Sequence, residues 1–165
     1  MIAENGSQGG NQESDADKIL EGADELRKIS LMDHRELKKI TGNIDSPDPG
    51  TRAGAIHSVK TLIIHNLNED LALNLIRATL PKIINGITDK DSRVRYTSIS
   101  CLGEAADRFP KEESLLTAVP SLSTMFRDPD TGLIATVAFQ GLSKHHPQDK
   151  RIRDAMPAYK AAKGK

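Results

Sequence analysis

Apolar residues in this chain recur at intervals of three and four, the spacing of one face of an α-helix. One stripe combines Ala55, Ile56, Val59 and Leu62 in a segment that ends near Asn66. Further helical stripes begin at residue 69, after a turn at 88–91, at residue 111, after a turn at 127–130, and at about residue 149. No stretch shows the strict alternation of apolar and polar positions that is typical of a strand. The pattern predicts an all-α fold.

The N-terminal region carries a different composition and two possible helix starts. Residues 1–13 contain Gly, Gln, Asn, Ser and acidic residues with almost nothing apolar, which predicts a disordered leader. Ser14 can cap a first helix, and Asp33, with Glu36 in the capping-box position, can cap a second that ends at 42–43. Order is therefore expected from about residue 14 onward.

The turns and prolines repeat with a period of about 40 residues. The pairs separated by 39 residues are Pro81 and Pro120, Asp89 and Asp128, and Asp91 and Asp130. Arg52 precedes Arg95 by 43 residues, as Asp48 precedes Asp91. Independent markers with one period predict an array of stacked helical hairpins.

Residues 81–103 resemble a HEAT repeat. The features that carry the resemblance are Pro81 in the first helix, Asp89 and Asp91 in the turn, Val94-Arg95 at the start of the second helix, and Leu102-Gly103. Weaker copies precede and follow this unit, so the resemblance covers about 32–147. It implies a short α-solenoid of about three HEAT-like hairpins with capping helices. The expected organisation is a leader at 1–13, a repeat domain at 14–162 and a basic tail at 163–165.

Each repeated residue has an expected structural role. The turn aspartates should accept hydrogen bonds from the amides that begin the next helix. Arg95 should reach carboxylates or carbonyls of a neighbouring repeat, and Pro81 should kink its helix. Small residues should let paired helices approach closely; they are Ala55, Ser98 and Ala138.

The charges balance overall but not locally. The 23 Lys and Arg residues equal the 23 Asp and Glu residues, so the chain as a whole has no pull towards nucleic acid or an anionic membrane. Residues 1–17 carry four acids and no base, whereas residues 149–165 carry six bases and two acids. The basic end fits either a solvated helix terminus or an anchor for an acidic partner. The opposed ends also predict weak self-association that falls with salt.

No residue pattern predicts catalysis, a cofactor or a metal site. The five histidines show no ligand spacing, and Cys101 lacks a second cysteine for a disulfide. Cys101 is interpreted as a small buried apolar residue, with a reactive thiol as the alternative. The first residues lack the basic and apolar regions of a signal peptide, and no apolar run approaches the roughly 20 residues that cross a bilayer. We therefore expect no signal peptide, no membrane partner and a cytoplasmic location, with the nucleus left open. We therefore expect a protein that is not an enzyme.

The HEAT resemblance implies that the second helices of the hairpins line one concave side. Outward positions on these helices are the candidate partner-binding residues: Arg52, His57, Lys60, Arg93, Tyr96, Ser100, Glu104, Gln140 and Lys144, with Thr136 also expected to point outward. The predicted function is a non-catalytic scaffold or adaptor that binds a protein or peptide. Two alternatives are an accessory subunit of a lyase-like enzyme and nucleic-acid binding through residues 150–165.

Overall fold

The computed structural model describes residues 34–66 and 68–164. These residues form seven α-helices: α1 (His34–Asn43), α2 (Pro49–Thr61), α3 (Glu69–Ile87), α4 (Ser92–Arg108), α5 (Val119–Thr124), α6 (Gly132–His145) and α7 (Lys150–Lys163). A π-helical segment, Leu62–Asn66, follows α2 directly, and a 3₁₀-helix, Glu113–Ala118, precedes α5. The described part of the chain contains no strand, which confirms the all-α prediction. The predicted leader and the helix caps at Ser14 and Asp33 lie outside the described residues.

Aspartates begin three of these helices, and two of them, Asp48 and Asp91, belong to the predicted turns. The Asp48 carboxylate accepts a hydrogen bond from the Thr51 amide at 2.6 Å, at the start of α2. Asp91 and Asp149 cap α4 and α7 by accepting from the amides two residues later, at 2.9 and 2.8 Å. Each cap satisfies an amide that has no partner within its own helix.

The predicted helix over 111–126 is wrong. The structure instead has a 3₁₀-helix over Glu113–Ala118 and a short α5 over Val119–Thr124. Pro120 explains the break, because it has no amide hydrogen to donate to the carbonyl of Leu116 and its ring clashes there. Proline is tolerated in the first turn of a helix, so α5 begins next to it. The apolar stripe survives this change, since Leu115, Leu116, Val119 and Leu122 are all buried.

The helices stack as successive hairpins. Helix α4 packs between α2 and α6, so the second helices form a continuous row. Helix α3 packs against α4, and α5 packs against α6. Helix α7 packs against α5 and α6. The fully buried side chains between the layers are mainly Ile and Leu, for example Ile83, Ile87, Ile99, Leu102 and Leu142. This arrangement confirms the predicted short helical solenoid.

Small residues set two close helix contacts. A Cβ placed on Gly86 of α3 would lie 2.2 Å from Ser98 Oγ and 3.2 Å from Ser98 Cβ on α4. These helices are a pair within one hairpin, which confirms the predicted role of Ser98. Ala138 acts between hairpins, since its Cβ would lie 3.6 Å from a Cβ on Gly103 of α4. Glycine at 86 therefore permits an approach that a larger residue would block.

Two arginines tie successive hairpins together. Arg95 donates to the carbonyls of Asp89 and Lys90, both at 3.1 Å, and to the carboxylates of Asp128 and Asp130 in the next turn, at 3.4 and 3.0 Å. This confirms the predicted reach of Arg95 into a neighbouring repeat. Arg52 does the same one hairpin earlier, donating from Nε and Nη2 to the two Asp89 carboxylate oxygens at 3.1 and 3.0 Å. We call this set of contacts the arginine ladder.

Burial and hydrogen bonding have opposite effects on the pKa of Asp128, which accepts a hydrogen bond from Arg95 in the ladder. Burial raises the pKa of its carboxyl, but hydrogen bonds from Thr131 and Asp130 together with the charge of Arg95 outweigh that effect. The pKa of Asp128 is therefore below its usual range. Its carboxylate oxygen accepts from the Thr131 amide and hydroxyl, both at 2.8 Å, so the same group organises the turn and receives the arginine.

Candidate functional site

A groove of about 420 Å³ runs between α4 and α6. Its floor is formed by small residues, because Gly103 faces Ala138 and Gly141 faces Asp107. The two helices run in the same direction, since Arg95 near the start of α4 contacts Asp130 just before α6, and Gly103 faces Ala138 further along both helices. We call the solvent-exposed side of these two helices the α4–α6 surface.

Exposed apolar side chains are concentrated on the α4–α6 surface. Leu133 of α6 is 83% exposed, Val137 one turn later is 59% exposed, and Tyr96 of α4 is 53% exposed. Among the described residues, only Leu71 on α3 is another large apolar side chain with comparable exposure. Leu71 belongs to the stripe that the sequence predicts for this helix, yet it is exposed. Leu133 and Val137 are four residues apart and so form an apolar ridge on one face of α6.

The charged groups at the N-terminal end of this surface are paired within the protein. A depression of about 450 Å³ is lined there by Tyr96, Arg93 and Asp130, with Ser92 and Thr97. Arg93 donates from Nε and Nη2 to the carboxylate of Asp91 at 3.0 and 2.8 Å. This hydrogen bond lowers the pKa of Asp91 to about 2. Asp130 forms an ion pair with Arg95, so the charges at this end of the surface are balanced by partners within the protein.

Three charged groups at the C-terminal end have no ion pair among residues 34–66 and 68–164: Glu104, Asp107 and Lys144. Glu104 and Asp107 of α4 line the groove together with Lys144 of α6. Neither carboxylate has an ion pair or hydrogen bond within the described ranges. Both helices also end here, at Arg108 and His145, where the backbone carbonyls give each helix a partial negative charge. The two ends of the α4–α6 surface therefore differ in electrostatic character.

The structure brings six of the nine predicted partner-binding residues to this surface. Those that line the groove are Ser100, Glu104, Gln140 and Lys144. Arg93 and Tyr96 line the adjoining depression. Lys60 reaches across from α2 to donate to Ser100 Oγ at 3.2 Å, while His57 is exposed on α2.

Two expected outward positions are wrong. Arg52 is only 21% exposed, because its guanidinium is held by Asp89 and by the carbonyls of Ser46 and Pro47 at 2.8 and 2.9 Å. Thr136 is buried, at 8% exposure, and its hydroxyl donates to the Leu133 carbonyl at 2.7 Å. Arg52 therefore has a structural role in the ladder.

Sequence reasoning missed the apolar ridge and Asp107. Leu133 and Val137 were not recognised because apolar residues are usually assigned to the core. A usable pattern was present: the buried face of α6 contains Ala135, Ala138, Phe139 and Leu142, so the three other apolar residues of this helix, Leu133, Ile134 and Val137, lie outside that face. When a helix has apolar residues outside its buried face, these residues are candidates for packing against a second element or a partner.

Three further findings concern chemistry and location. Cys101 is fully buried, and this burial raises the pKa of its thiol to about 12, which confirms the interpretation as a buried apolar residue. Over residues 34–66 and 68–164, no group of three or more His, Cys, Asp or Glu side chains is placed to hold a metal ion. No helix in the part of the chain that the structure describes has the length and apolar character needed to cross a membrane.

The fold defines a helical-repeat protein of the α-solenoid class, in which hairpins stack through a row of second helices. The HEAT-repeat family model matches residues 79–109, a segment that contains the end of α3, the Asp-rich turn and all of α4. The chain therefore carries a HEAT repeat, and the predicted resemblance is confirmed.

One curated relative is similar over most of this chain. Serine/threonine-protein kinase 36 of Pongo abelii is 28% identical over 122 residues, which is 73% of this chain and 8% of that protein. The chain thus spans less than a tenth of the length of the relative that it matches. No solved structure gives a significant match.

Proposed function

We propose that this chain is a non-catalytic interaction module, a scaffold or adaptor, that binds a segment of another protein on the α4–α6 surface. The single observation that carries the proposal is the clustering there of Tyr96, Leu133 and Val137, three of the four large apolar side chains that are exposed in the described residues. HEAT repeats commonly mediate protein–protein interaction, and the family match covers α4 itself.

The energetics of the ridge support binding. Fully burying a Leu or Val side chain contributes roughly 1.5–3 kcal/mol, so covering Leu133 and Val137 would supply a useful part of a micromolar affinity. The groove beside the ridge has a floor of small residues, Gly103, Ala138 and Gly141, which leaves room for side chains of a partner. A ridge next to a groove is the arrangement that packs against a helix.

Affinity capture with matched variants tests this proposal. The variant Leu133→Ser/Val137→Ser removes the ridge, and Leu71→Ser removes an exposed apolar residue from α3 as a control. Proteins captured in stoichiometric amounts by the wild type and by Leu71→Ser should be lost, by about tenfold or more, with the ridge variant. Circular dichroism should show the same helix content in all three proteins. Equal capture by all three would contradict binding on the α4–α6 surface.

A second candidate function is nucleic-acid binding through α7. The observation that favours it is the presence on this helix of three exposed cations that have no ion pair among the described residues: Arg153, Lys160 and Lys163. Replacing these three with Gln should abolish retention on heparin at low salt if the candidate is correct. The matched control makes the same change in net charge elsewhere, with Gln at Lys39, Lys90 and Lys111. Equal retention of both triple variants would exclude α7 as the binding element.

A further inference from the structure

Glu104 and Asp107 are placed unfavourably for stability. Asp107 lies in the last turn of α4, where the helix dipole disfavours negative charge, and Glu104 lies one turn earlier; Arg108 is the basic residue of this last turn. Helix α6 ends beside them and adds its own C-terminal carbonyls. A carboxylate in this position costs free energy unless a cation is near it.

Three acidic residues of the turns have such a cation. Asp89 is paired with Arg52, and Asp128 and Asp130 are paired with Arg95. In contrast, Glu104 and Asp107 have no cation at ion-pair distance among residues 34–66 and 68–164: Lys144 lines the same groove, and Lys60 is held by Ser100 Oγ at 3.2 Å, one turn before Glu104. The groove lining thus carries two acids and one base. An unpaired acidic pair beside an exposed apolar ridge indicates that the compensating cation comes from a partner.

The spacing of these groups defines what the partner must carry. Asp107 lies beside Gly141, Val137 is one helical turn before Gly141, and Leu133 is one further turn away. With a rise of 1.5 Å per residue, these separations along α6 are about 6 and 12 Å. A partner helix lying along the groove would therefore place a cation one to two turns from its aliphatic residues, on the same face.

We infer that the α4–α6 groove selects an amphipathic protein helix that carries Lys or Arg one to two turns from a pair of aliphatic residues. The aliphatic residues cover Leu133 and Val137, and the cation pairs with Glu104 and Asp107. The inference rests on the proposed function and adds the chemistry of the partner. The two acidic residues then lower the stability of the free protein, and in return they make binding selective for a partner that carries a cation.

Three synthetic helical peptides of about 20 residues on one Ala-rich scaffold provide the probes. The first carries two Leu residues four apart and two Lys residues one to two turns away on the same face. The second has Glu in place of Lys, and the third has Ala in place of Leu. Fluorescence anisotropy with the full chain should show binding of the first peptide, and much weaker binding of the other two.

Charge variants of the protein separate the two levels of the proposal. The variant Glu104→Gln/Asp107→Asn should bind the first peptide about five- to thirty-fold more weakly and with less salt dependence. The control Glu69→Gln/Asp70→Asn makes the same change in net charge on α3 and should bind it as the wild type does. The thermal midpoint of Glu104→Gln/Asp107→Asn should equal or exceed that of the wild type, because the change removes acids from a helix C-terminus.

The outcomes distinguish failure of the inference from failure of the proposed function. If Leu133→Ser/Val137→Ser weakens binding but the Glu peptide binds as well as the Lys peptide, the cation preference is refuted and the binding surface stands. The same holds if Glu104→Gln/Asp107→Asn binds the Lys peptide unchanged. If Leu133→Ser/Val137→Ser changes no affinity, or if the first peptide does not bind, the inference fails; the capture experiment then decides on the proposed function separately.

Discussion

Removing the guanidinium of Arg95 should weaken the contact between successive hairpins. In Arg95→Met the side chain keeps most of its apolar length, while the carbonyls of Asp89 and Lys90 and the carboxylates of Asp128 and Asp130 lose a charged donor. The side chain of Arg95 is 13% exposed, so these bonds are largely shielded from water. The perturbation therefore acts on the ladder rather than on the surface.

The magnitude follows from the individual contacts. A hydrogen bond from a charged group contributes roughly 1.5–3 kcal/mol when it is shielded, but the pair with Asp130 is discounted because Asp130 is 58% exposed. The Nε of Arg95 is buried without a hydrogen-bond partner, so its removal returns part of the loss. We expect Arg95→Met to lower the free energy of unfolding by about 2–4 kcal/mol, a large fraction of a typical 5–15 kcal/mol.

Urea denaturation followed by circular dichroism measures this loss, and Arg93→Met is the matched control. Arg93 lies two residues earlier on the same helix, but it is 67% exposed and pairs with Asp91 in its own turn. Because this pair is exposed, its loss should lower the free energy of unfolding by less than about 1 kcal/mol. In hydrogen exchange, residues 127–131 should exchange faster in Arg95→Met only. A loss of less than about 1 kcal/mol, or equal effects of the two substitutions, would refute the ladder as a source of stability.

Three further predictions concern the core, the thiol and the caps. Gly86→Ala should cost about 1–3 kcal/mol in unfolding free energy because its Cβ meets Ser98, while Ser98→Ala, which removes a buried hydroxyl without a partner, should be neutral or stabilising by up to about 1 kcal/mol. With its pKa at about 12, Cys101 should react with a maleimide at pH 8 about a thousand-fold more slowly in the folded chain than in urea; comparable rates would contradict its burial. The pKa values of Asp91 and Asp149 are lowered to about 2 by hydrogen bonds from the arginine two residues later. The folded carboxylates bind protons more weakly than the unfolded ones, so their contribution to the free energy of unfolding is complete above about pH 5 and is lost as the pH falls towards 2. Between these pH values, the urea midpoint of Asp91→Asn/Asp149→Asn should therefore fall less steeply than that of the wild type.

Local information in the sequence was sufficient for most helices. Helix α3 spans Glu69–Ile87, as the apolar period from residue 69 and the turn at 88–91 predict. The failure over 111–126 has a local cause too, because apolar spacing fits an α-helix and a 3₁₀-helix about equally over one or two turns. Pro120 lies in the first turn of α5, where the 3₁₀-helix ends and the α-helix begins.

The site was harder to predict because exposure is a property of the stack. Arg52 follows the N-cap of its helix by four residues, as Arg95 does, so the equivalent positions of the two arginines could have predicted the same role in the ladder. The polar character of Arg52 alone predicted only that its side chain would point towards solvent. Leu133 and Val137 required knowledge of which faces of α6 are covered by α4 and α5. Ser100, Glu104, Gln140 and Lys144 lie opposite a clear apolar face and line the groove, and their role in binding a partner stays a prediction.

The ladder and the groove lie on the same helices and are related through their charges. Helices α2 and α4 have arginine four residues after the N-cap, whereas α6 has Ala135 at that position, buried at 0% exposure. The ladder therefore ends at α6. The arginines of α2 and α4 pair with the turn carboxylates of Asp89, Asp128 and Asp130. Glu104 and Asp107 lie at the opposite end of α4, too far along the helix to pair with Arg52 or Arg95.

Since the ladder fixes α4 against the turn before α6, it also fixes the distance between this acidic pair and the apolar ridge. Arg95→Met should thus weaken binding of the Lys peptide although Arg95 contacts no part of the groove; unchanged affinity in a destabilised but folded Arg95→Met protein would show that the two are independent.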